Sequence, residues 1–119
     1  MVTKNEMIEA IETSYRSSPE YLFKKSPGFC IFRHERGGKW FCAVMTIPQN
    51  KLYGESEEEI DVINLKIDPN LGDILKTSPA IYPAYHMNKQ HWITVDLSQI
   101  DHFEQVAGLI EDSYLLTAK

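Results

Sequence analysis

Three consecutive segments with strand-like patterns constrain the fold of this 119-residue chain more than any other feature. Residues 29–33 and 40–47 are rich in aromatic and β-branched side chains, and residues 60–67 alternate between apolar and polar ones. The pair Gly37-Gly38 between the first two segments is typical of a β-hairpin turn. Strands joined by short connections pair in antiparallel fashion, so the pattern predicts an antiparallel sheet.

The predicted hairpin register also bears on the two cysteines. With Gly37-Gly38 at the centre of the loop, Cys30 opposes Met45. Successive side chains of a strand point to opposite faces, so this register puts Cys30 and Cys42 on opposite faces of the sheet. We therefore expect both thiols to stay reduced and to act as small buried hydrophobic groups.

Helical patterns precede and follow these strands. A capping box at residues 3–6, followed by apolar residues at three- and four-residue spacing, predicts an N-terminal helix that ends at residues 17–19. Asp68-Pro69 predicts the start of a short second helix, and Asp101 is the predicted N-cap of an amphipathic C-terminal helix. The alternating residues 92–97 predict a further strand between these two helices.

The resulting order is helix, three strands, short helix, one or two strands, helix. This order favours a two-layer α+β fold, with about five antiparallel strands and helices packed on one face of the sheet. Residues 60–67 read as a half-buried strand, with Asn64 and Lys66 on the polar side. We expect Trp92 to be a buried core residue, and residues 1–119 to form one domain.

Residues 81–92, Ile-Tyr-Pro-Ala-Tyr-His-Met-Asn-Lys-Gln-His-Trp, have neither a helical nor a strand period. The polar ends of tyrosine, histidine, asparagine and lysine each need a hydrogen-bond partner or water, so such a segment is seldom selected for packing alone. Two interpretations stay open for Tyr85, His86, Asn88 and Lys89. They form either a binding surface of stacking rings and donors, or a tight turn held by its own side chains.

Composition and charge narrow the classes of function. No apolar run follows the N-terminal charges, and no segment approaches the ~20 apolar residues of a membrane span, so we expect a cytoplasmic protein without a membrane partner. The net charge of −5 argues against nucleic-acid binding through bulk charge. The charge is uneven, however, because residues 55–61 are acidic and residues 24–39 are mostly basic. The basic residues of that stretch are Lys24, Lys25, Arg33, Arg36 and Lys39.

The sequence contains no recognisable catalytic or metal-binding signature. The histidines lack the spacing and the partners of zinc sites; they are His34, His86, His91 and His102. Both cysteines fall in predicted strands, where a thiol is usually inert, and Gly37-Gly38 lacks the helix and the lysine of a phosphate loop. We expect neither metal nor cofactor, although a cysteine–histidine pair formed in space stays open.

Four short motifs resemble the MmcQ/YjbR family, and together they span nearly the whole chain. They are Gly38-Lys39-Trp40-Phe41, Asn64-Leu65-Lys66-Ile67-Asp68-Pro69, Tyr85-His86-Met87-Asn88-Lys89 with His91-Trp92, and Asp112-Ser113-Tyr114. Two features depart from the family pattern. Tyr21-Leu22-Phe23-Lys24 stands where a Trp-Gly or Phe-Gly step is common, and the acidic run at residues 55–61 resembles an extension.

The resemblance implies an α+β fold similar to that of secretion chaperones, and a binding module rather than an enzyme. Members of the family are commonly labelled DNA-binding, on the strength of hairpins proposed to act as paired wings. We therefore expect a non-catalytic binding domain with nucleic acid as a weak, salt-sensitive partner. The expected contact residues are Lys39, Lys66, Tyr85, His86, Asn88, Lys89 and His91.

Two alternatives stay open beside nucleic-acid binding. The first is a protein-interaction or homodimerising module that uses the sheet surface and the acidic residues 55–61. The second is an enzyme of unknown reaction, with His86, Lys89 and His91 as acid or base groups.

Overall fold

The computed structural model of the protein describes residues 1–35 and 37–118, which contain a five-stranded antiparallel sheet and three α-helices. The strands are β1 (Cys30–Arg33), β2 (Trp40–Pro48), β3 (Glu59–Lys66), β4 (Ile81–Pro83) and β5 (Trp92–Asp96). The helices are α1 (Lys4–Tyr15), α2 (Pro69–Leu75) and α3 (Glu104–Leu116). The strand order across the sheet is β1-β2-β3-β5-β4. This architecture confirms the predicted α+β class.

The first two helices begin at the residues that their capping signals predict. The Thr3 hydroxyl accepts a hydrogen bond from the Glu6 N–H at 3.1 Å, and Glu6 Oε1 accepts one from the Thr3 N–H at 2.9 Å. Asp68 caps α2 by accepting from the backbone N–H of Asn70 at 3.0 Å, and Pro69 is the first helical residue. Both predictions are confirmed because each cap depends only on neighbouring residues.

The predicted cap of α3 is wrong. The helix begins at Glu104, and Asp101 does not supply the capping oxygen. Instead the side chain of Gln105 reaches back, and its Oε1 accepts from the backbone N–H groups of Asp101 at 2.6 Å and His102 at 2.9 Å. The amide oxygen of Gln105 therefore satisfies two donors that precede the helix, whereas the predicted cap required the Asp101 carboxylate to accept from the first helical turn.

One face of the sheet packs against α1 and α3 and forms the helix-side core. Alternate strand positions supply Cys30, Phe32, Cys42, Val44, Ile63, Leu65, Ile93 and Val95, all fully buried. Met7 and Ile11 of α1, together with Val106 and Ile110 of α3, complete this core. The predicted apolar faces of β3 and β5 are thus confirmed, because an apolar strand face must be covered by another element.

The register of the β1–β2 hairpin differs from the predicted one by one residue. Cys30 pairs with Val44, because the ladder is irregular near the turn and Phe41 is an extra residue on β2. Cys30 and Cys42 therefore lie on the same face of the sheet, in the helix-side core, and the prediction of opposite faces is wrong. Both are buried free thiols.

The second face of the sheet is also buried, but loops and strand ends cover it rather than helices. Its buried strand residues are Ile31, Ala43, Met45, Ile47, Ile60 and Val62. The residues that cover them are Phe29, Trp40, Leu52, Tyr53, Tyr85 and Met87. Asn64 and Thr94 lie fully buried among the residues of the sheet. The prediction that residues 60–67 form a half-buried strand is wrong, since β3 is covered on both faces.

Ser113 of α3 joins the ends of β2 and β3. Its hydroxyl donates to the Phe41 carbonyl at 2.5 Å and accepts from the Lys66 N–H at 2.8 Å. The paired register of these strands stops one residue earlier, at Cys42 and Leu65. The buried serine therefore satisfies two backbone groups at the point where the ladder ends.

Replacing Ser113 with alanine should lower the free energy of unfolding by about 1–3 kcal/mol, because two backbone groups lose a buried partner. Urea unfolding of Ser113→Ala measures this loss. The matched control Ser14→Ala removes an exposed hydroxyl from α1 and should stay within about 0.5 kcal/mol of the parent chain. Equal unfolding midpoints for the two variants would contradict the bridging role of Ser113.

Candidate functional site

A cleft of about 910 Å³ opens on the loop-covered face of the sheet, and we refer to it as the sheet-face cleft. Its apolar and aromatic lining includes Phe23, Phe29, Trp40, Met45, Ile47, Tyr85 and Met87. Its polar lining includes Lys4, Lys25, Glu59, Asn64 and His86. Clefts of this size with apolar walls and a few polar groups are the usual form of a ligand-binding site.

Three aromatic rings form one wall of the cleft. The ring of Phe23 meets the ring of Phe29 edge to face, with centroids 4.7 Å apart, and lies 6.3 Å from the ring of Trp40. Phe23 is 41% exposed, so this wall presents aromatic surface that nothing in the described chain covers. Such rings can stack with planar groups or bury aliphatic ones.

Tyr85 and His86 supply a second part of the lining from the loop at residues 84–91. Their ring centroids lie 4.0 Å apart. His86 has a φ of 59°, a left-handed conformation that histidine adopts more readily than most residues. His86 is exposed and Tyr85 is half-buried, so the pair combines an accessible ring with an anchored one.

A buried polar pair fixes this loop to the sheet. The Thr94 hydroxyl accepts from the Tyr85 N–H at 2.9 Å and donates to Asn64 Oδ1 at 2.5 Å. The Asn64 amide donates to the Tyr85 carbonyl at 2.9 Å. Both backbone polar groups of Tyr85 are therefore bonded to side chains of β3 and β5, which avoids the cost of burying them unpaired.

Asn88 and Lys89 close the same loop on itself. Asn88 Oδ1 accepts from the backbone N–H groups of Gln90 at 2.8 Å and His91 at 3.1 Å. Lys89 Nζ donates to the Ala84 carbonyl at 2.6 Å. These bonds support the tight-turn interpretation for Asn88 and Lys89, whose role in binding stays a prediction.

Lys66 and Trp92 face each other away from the lining of the cleft. They are partners in the β3–β5 register, and Lys66 Nζ lies 5.7 Å from the centroid of a Trp92 ring. Trp92 is only partly buried, so the prediction of a buried core tryptophan is wrong. Strand alternation puts Ile93 in the helix-side core and Trp92 on the other face, at the end of the β3–β5 ladder beside Lys66.

The remaining predicted contact residues, Lys39 and His91, are exposed and do not line the cleft. Arg36, part of the predicted basic stretch, lies outside the described residues. Of the predicted set, the structure brings Tyr85 and His86 together at the cleft, and it distributes the others around the loop and the sheet surface. The role of each in binding stays a prediction.

The wall formed by Phe23 and Phe29 was not predicted, because residues 21–28 have the composition of a loop and end in Ser26-Pro27-Gly28. The signal that marks this segment is the run of apolar residues at 21–23 inside an otherwise polar connection. Met45 was also missed, since a methionine within a strand reads as a core residue.

Another polar group is buried on the same face of the sheet. Asp96 is fully buried, and its carboxylate accepts from Tyr53 Oη at 2.5 Å, Gln99 Nε2 at 2.9 Å and Ser98 Oγ at 2.7 Å. Burial raises the pKa of Asp96, but these donors outweigh burial and hold the pKa below its usual value. The ring of Tyr53 stacks on that of Tyr82 at 4.8 Å and fills this part of the face.

The described residues offer little nucleophilic or metal-binding chemistry. Burial raises the pKa of the Cys30 thiol and raises that of Cys42 strongly, so neither is an activated nucleophile. No group of three or more histidine, cysteine, aspartate or glutamate side chains in residues 1–35 and 37–118 is arranged to hold a metal ion. Within the same residues, no helix has the length and apolar content needed to cross a membrane.

Replacing Thr94 with valine should release the loop while keeping the shape of the side chain. The Tyr85 N–H and Asn64 Oδ1 lose their partner, so the free energy of unfolding should fall by about 1–3 kcal/mol. Amide hydrogen exchange at Tyr85 should accelerate in Thr94→Val and stay slow in Thr94→Ser, which keeps the hydroxyl. Slow exchange at Tyr85 in both variants would show that the loop is held by other contacts.

Acid unfolding should depend on Asp96. Because its pKa is lower in the folded chain, the carboxylate stabilises the fold fully above the usual value of 3.8, and this contribution is lost as pH falls through the folded-state pKa. Asp96→Asn should therefore reduce the pH dependence of the unfolding free energy below about pH 4, as measured by urea titrations. The control Asp101→Asn, at an exposed carboxylate, should change this dependence less. An unchanged slope in Asp96→Asn would refute the assignment.

Comparisons with known proteins identify the family of the chain. Residues 16–116 match the YjbR family model. The uncharacterised protein YyaQ of Bacillus subtilis is 35% identical over 117 residues, which cover 98% of this chain and 99% of that protein. The uncharacterised protein YbdF of Escherichia coli O157:H7 is 40% identical over 111 residues, with 88% of this chain and 81% of that protein covered.

Solved structures share the fold as well as the sequence. A crystal structure of a Pseudomonas syringae protein superposes with a TM-score of 0.90 at 40% identity, covering 95% of this chain and 97% of that one. The DUF419 domain of Deinococcus radiodurans DR2400 superposes with a TM-score of 0.74 at 25% identity, covering 100% of this chain and 80% of that one. Sequence and fold together show that the chain belongs to the YjbR family.

Proposed function

We propose that this protein is a non-catalytic binding domain and that the sheet-face cleft is its binding site. The observation that carries the proposal is the construction of the cleft, in which aromatic residues of separate segments surround an apolar floor. The hydrogen bonds of Asn64 and Thr94 fix the part that carries Tyr85 and His86. A site that is fixed before binding loses little conformational entropy when a ligand enters.

Single-stranded nucleic acid is the partner class that fits this cleft best. Bases of any sequence stack on aromatic rings, and Phe23 and Trp40 offer such rings at the cleft. Lys4 and Lys25 line the cleft against one carboxylate, that of Glu59, so the lining is locally positive in a chain with a net charge of −5. Lys4 Nζ donates to the Gly28 carbonyl at 3.3 Å, so Lys25 is the cation of the lining that we expect to contact phosphate. The proposal therefore combines base stacking with a small number of phosphate contacts.

The contacts of the lysines support a single strand over a duplex. Lys66 lies over the ring of Trp92, and Lys89 is bonded to a backbone carbonyl, so both already have partners within the chain. Glu59, which lines the cleft, is the last residue of the acidic run 55–59. Binding to a duplex depends on many phosphate contacts along a basic surface, whereas stacking on a single strand needs fewer.

A protein segment is the second candidate, and the methionines of the cleft support it. Met45 and Met87 both line the cleft. Flexible methionine side chains adapt to apolar partners of different shapes, which is why they are frequent at protein-binding surfaces. The Glu59 carboxylate at the cleft would then face a basic residue of the partner.

Fluorescence of Trp40 provides a direct readout of the cleft. The chain has two tryptophans, and Trp40 lines the cleft whereas Trp92 does not, so Trp92→Phe leaves one reporter at the site. Titrating this variant with oligothymidylate of about 12 nucleotides should quench Trp40 with micromolar affinity at low salt. The log of the affinity should fall against log salt by about 0.7 for each phosphate contact.

Further variants in the same background separate stacking from charge. Phe23→Ala should weaken binding by about 1–3 kcal/mol, since one stacking ring is lost. Lys25→Glu should weaken binding and reduce the salt slope, whereas Lys51→Glu, the matched reversal outside the lining, should leave both unchanged. Equal effects of Lys25→Glu and Lys51→Glu would assign binding to bulk charge. Titrations with DNA and RNA strands that never quench Trp40 would reject nucleic acid and favour the protein segment.

A further inference from the structure

Four exposed aliphatic side chains lie on the helices, apart from the cleft. They are Leu71 and Ile74 on α2, and Leu115 and Leu116 at the end of α3. Ile74 is 66% exposed and Leu115 is 63% exposed. Single exposed hydrophobic residues are common on protein surfaces, but a contiguous group of large ones marks an interaction site.

The three leucines of this set lie together and line a shallow groove of about 310 Å³, which we refer to as the α2–α3 groove. Its lining consists of four aliphatic residues and two carboxylates: Ile67, Asp68, Leu71, Asp112, Leu115 and Leu116. The inner side of α3 packs into the helix-side core through Val106 and Ile110. The groove therefore lies on the helix layer, across the sheet from the sheet-face cleft.

The two carboxylates give the groove a defined charge. Neither Asp68 nor Asp112 forms a salt bridge with any residue that the structure describes. Asp68 Oδ1 accepts from the first turn of α2, so its position is fixed by the helix cap. Glu111 lies next to Asp112 in the sequence and is also exposed. The groove thus combines an apolar centre with unpaired negative charge at its edge.

We propose that the α2–α3 groove binds a short amphipathic segment of a partner protein, with aliphatic side chains flanked by lysine or arginine. The aliphatic side chains would lie among the leucines, and the cations would pair with Asp68 and Asp112. A second copy of this chain fits poorly. A two-fold contact through the groove would bring the carboxylates of both copies into one interface with no cation of the groove to offset them. The inference is independent of what occupies the sheet-face cleft.

Fluorescence anisotropy with two labelled model peptides tests the inference. One is an amphipathic peptide of leucine and lysine, and the other has glutamate in place of lysine. The leucine–lysine peptide should bind the native chain, with an affinity that falls as salt rises, and the leucine–glutamate peptide should not. Failure of the first peptide to bind, or equal binding of both, would overturn the proposal.

Matched variants locate the binding. Leu115→Ser and Leu71→Ser should each weaken binding about tenfold, the effect of leaving one leucine unburied. Asp112→Lys should weaken it several-fold and flatten its salt dependence. The controls are Leu22→Ser, at an exposed leucine near the cleft, and Glu9→Lys, an equal charge change on α1.

Both controls should bind like the native chain, because neither residue lines the groove. Losses in the controls as large as those in the groove variants would assign the binding to general charge or hydrophobicity and overturn the proposal. Sedimentation velocity of the native chain tests whether a second copy of the chain occupies the groove instead. A concentration-dependent dimer that Leu115→Ser abolishes would show that a second copy fills the groove.

Discussion

The hydrogen bonds that join Asn64, Thr94 and the backbone of Tyr85 determine the shape of the loop-covered face. A polar pair in the middle of a doubly covered sheet is tolerated only when all its groups are bonded, and the loop backbone supplies the missing partners. The same bonds hold the loop that carries His86 at the edge of the cleft. The buried side chains of β3 and β5 therefore determine the position of this part of the cleft lining.

Different elements cover the two faces of the sheet. On the helix side, apolar residues of α1 and α3 meet apolar strand positions, and Ser113 adds a polar bridge at the end of the β2–β3 ladder. On the loop side, aromatic residues and methionines cover the strands incompletely and leave the cleft. Complete coverage of the strands by α1 and α3 stabilises the fold, whereas partial coverage by aromatic rings leaves exposed surface that a ligand can contact.

Local signals in the sequence predicted the caps of α1 and α2 and the strands other than β4, because these depend on neighbouring residues, and the order of the elements then indicated the fold class. β4 was not predicted, since Ile81–Pro83 lie in a segment without a strand period. The hairpin register was wrong because the extra residue Phe41 packs in the helix-side core, and no local pattern reports that. The cleft could not be predicted, since Phe23 and Tyr85 are distant in the sequence and line one cleft only in the folded chain. The family motifs in part describe scaffold: Asn64 anchors a loop, Asn88 closes a turn and Ser113 bridges two strands.

We propose that single-stranded nucleic acid binds in the sheet-face cleft rather than at a basic hairpin or at the helix layer. Titration of the ¹⁵N-labelled chain with oligothymidylate, followed by heteronuclear NMR, locates the binding surface residue by residue. Shifts concentrated at Phe23, Tyr85, His86 and the indole N–H of Trp40, with the α2–α3 groove unchanged, are the predicted result. Shifts confined to residues outside the cleft lining, or no shifts with oligothymidylate or any RNA strand, would contradict it.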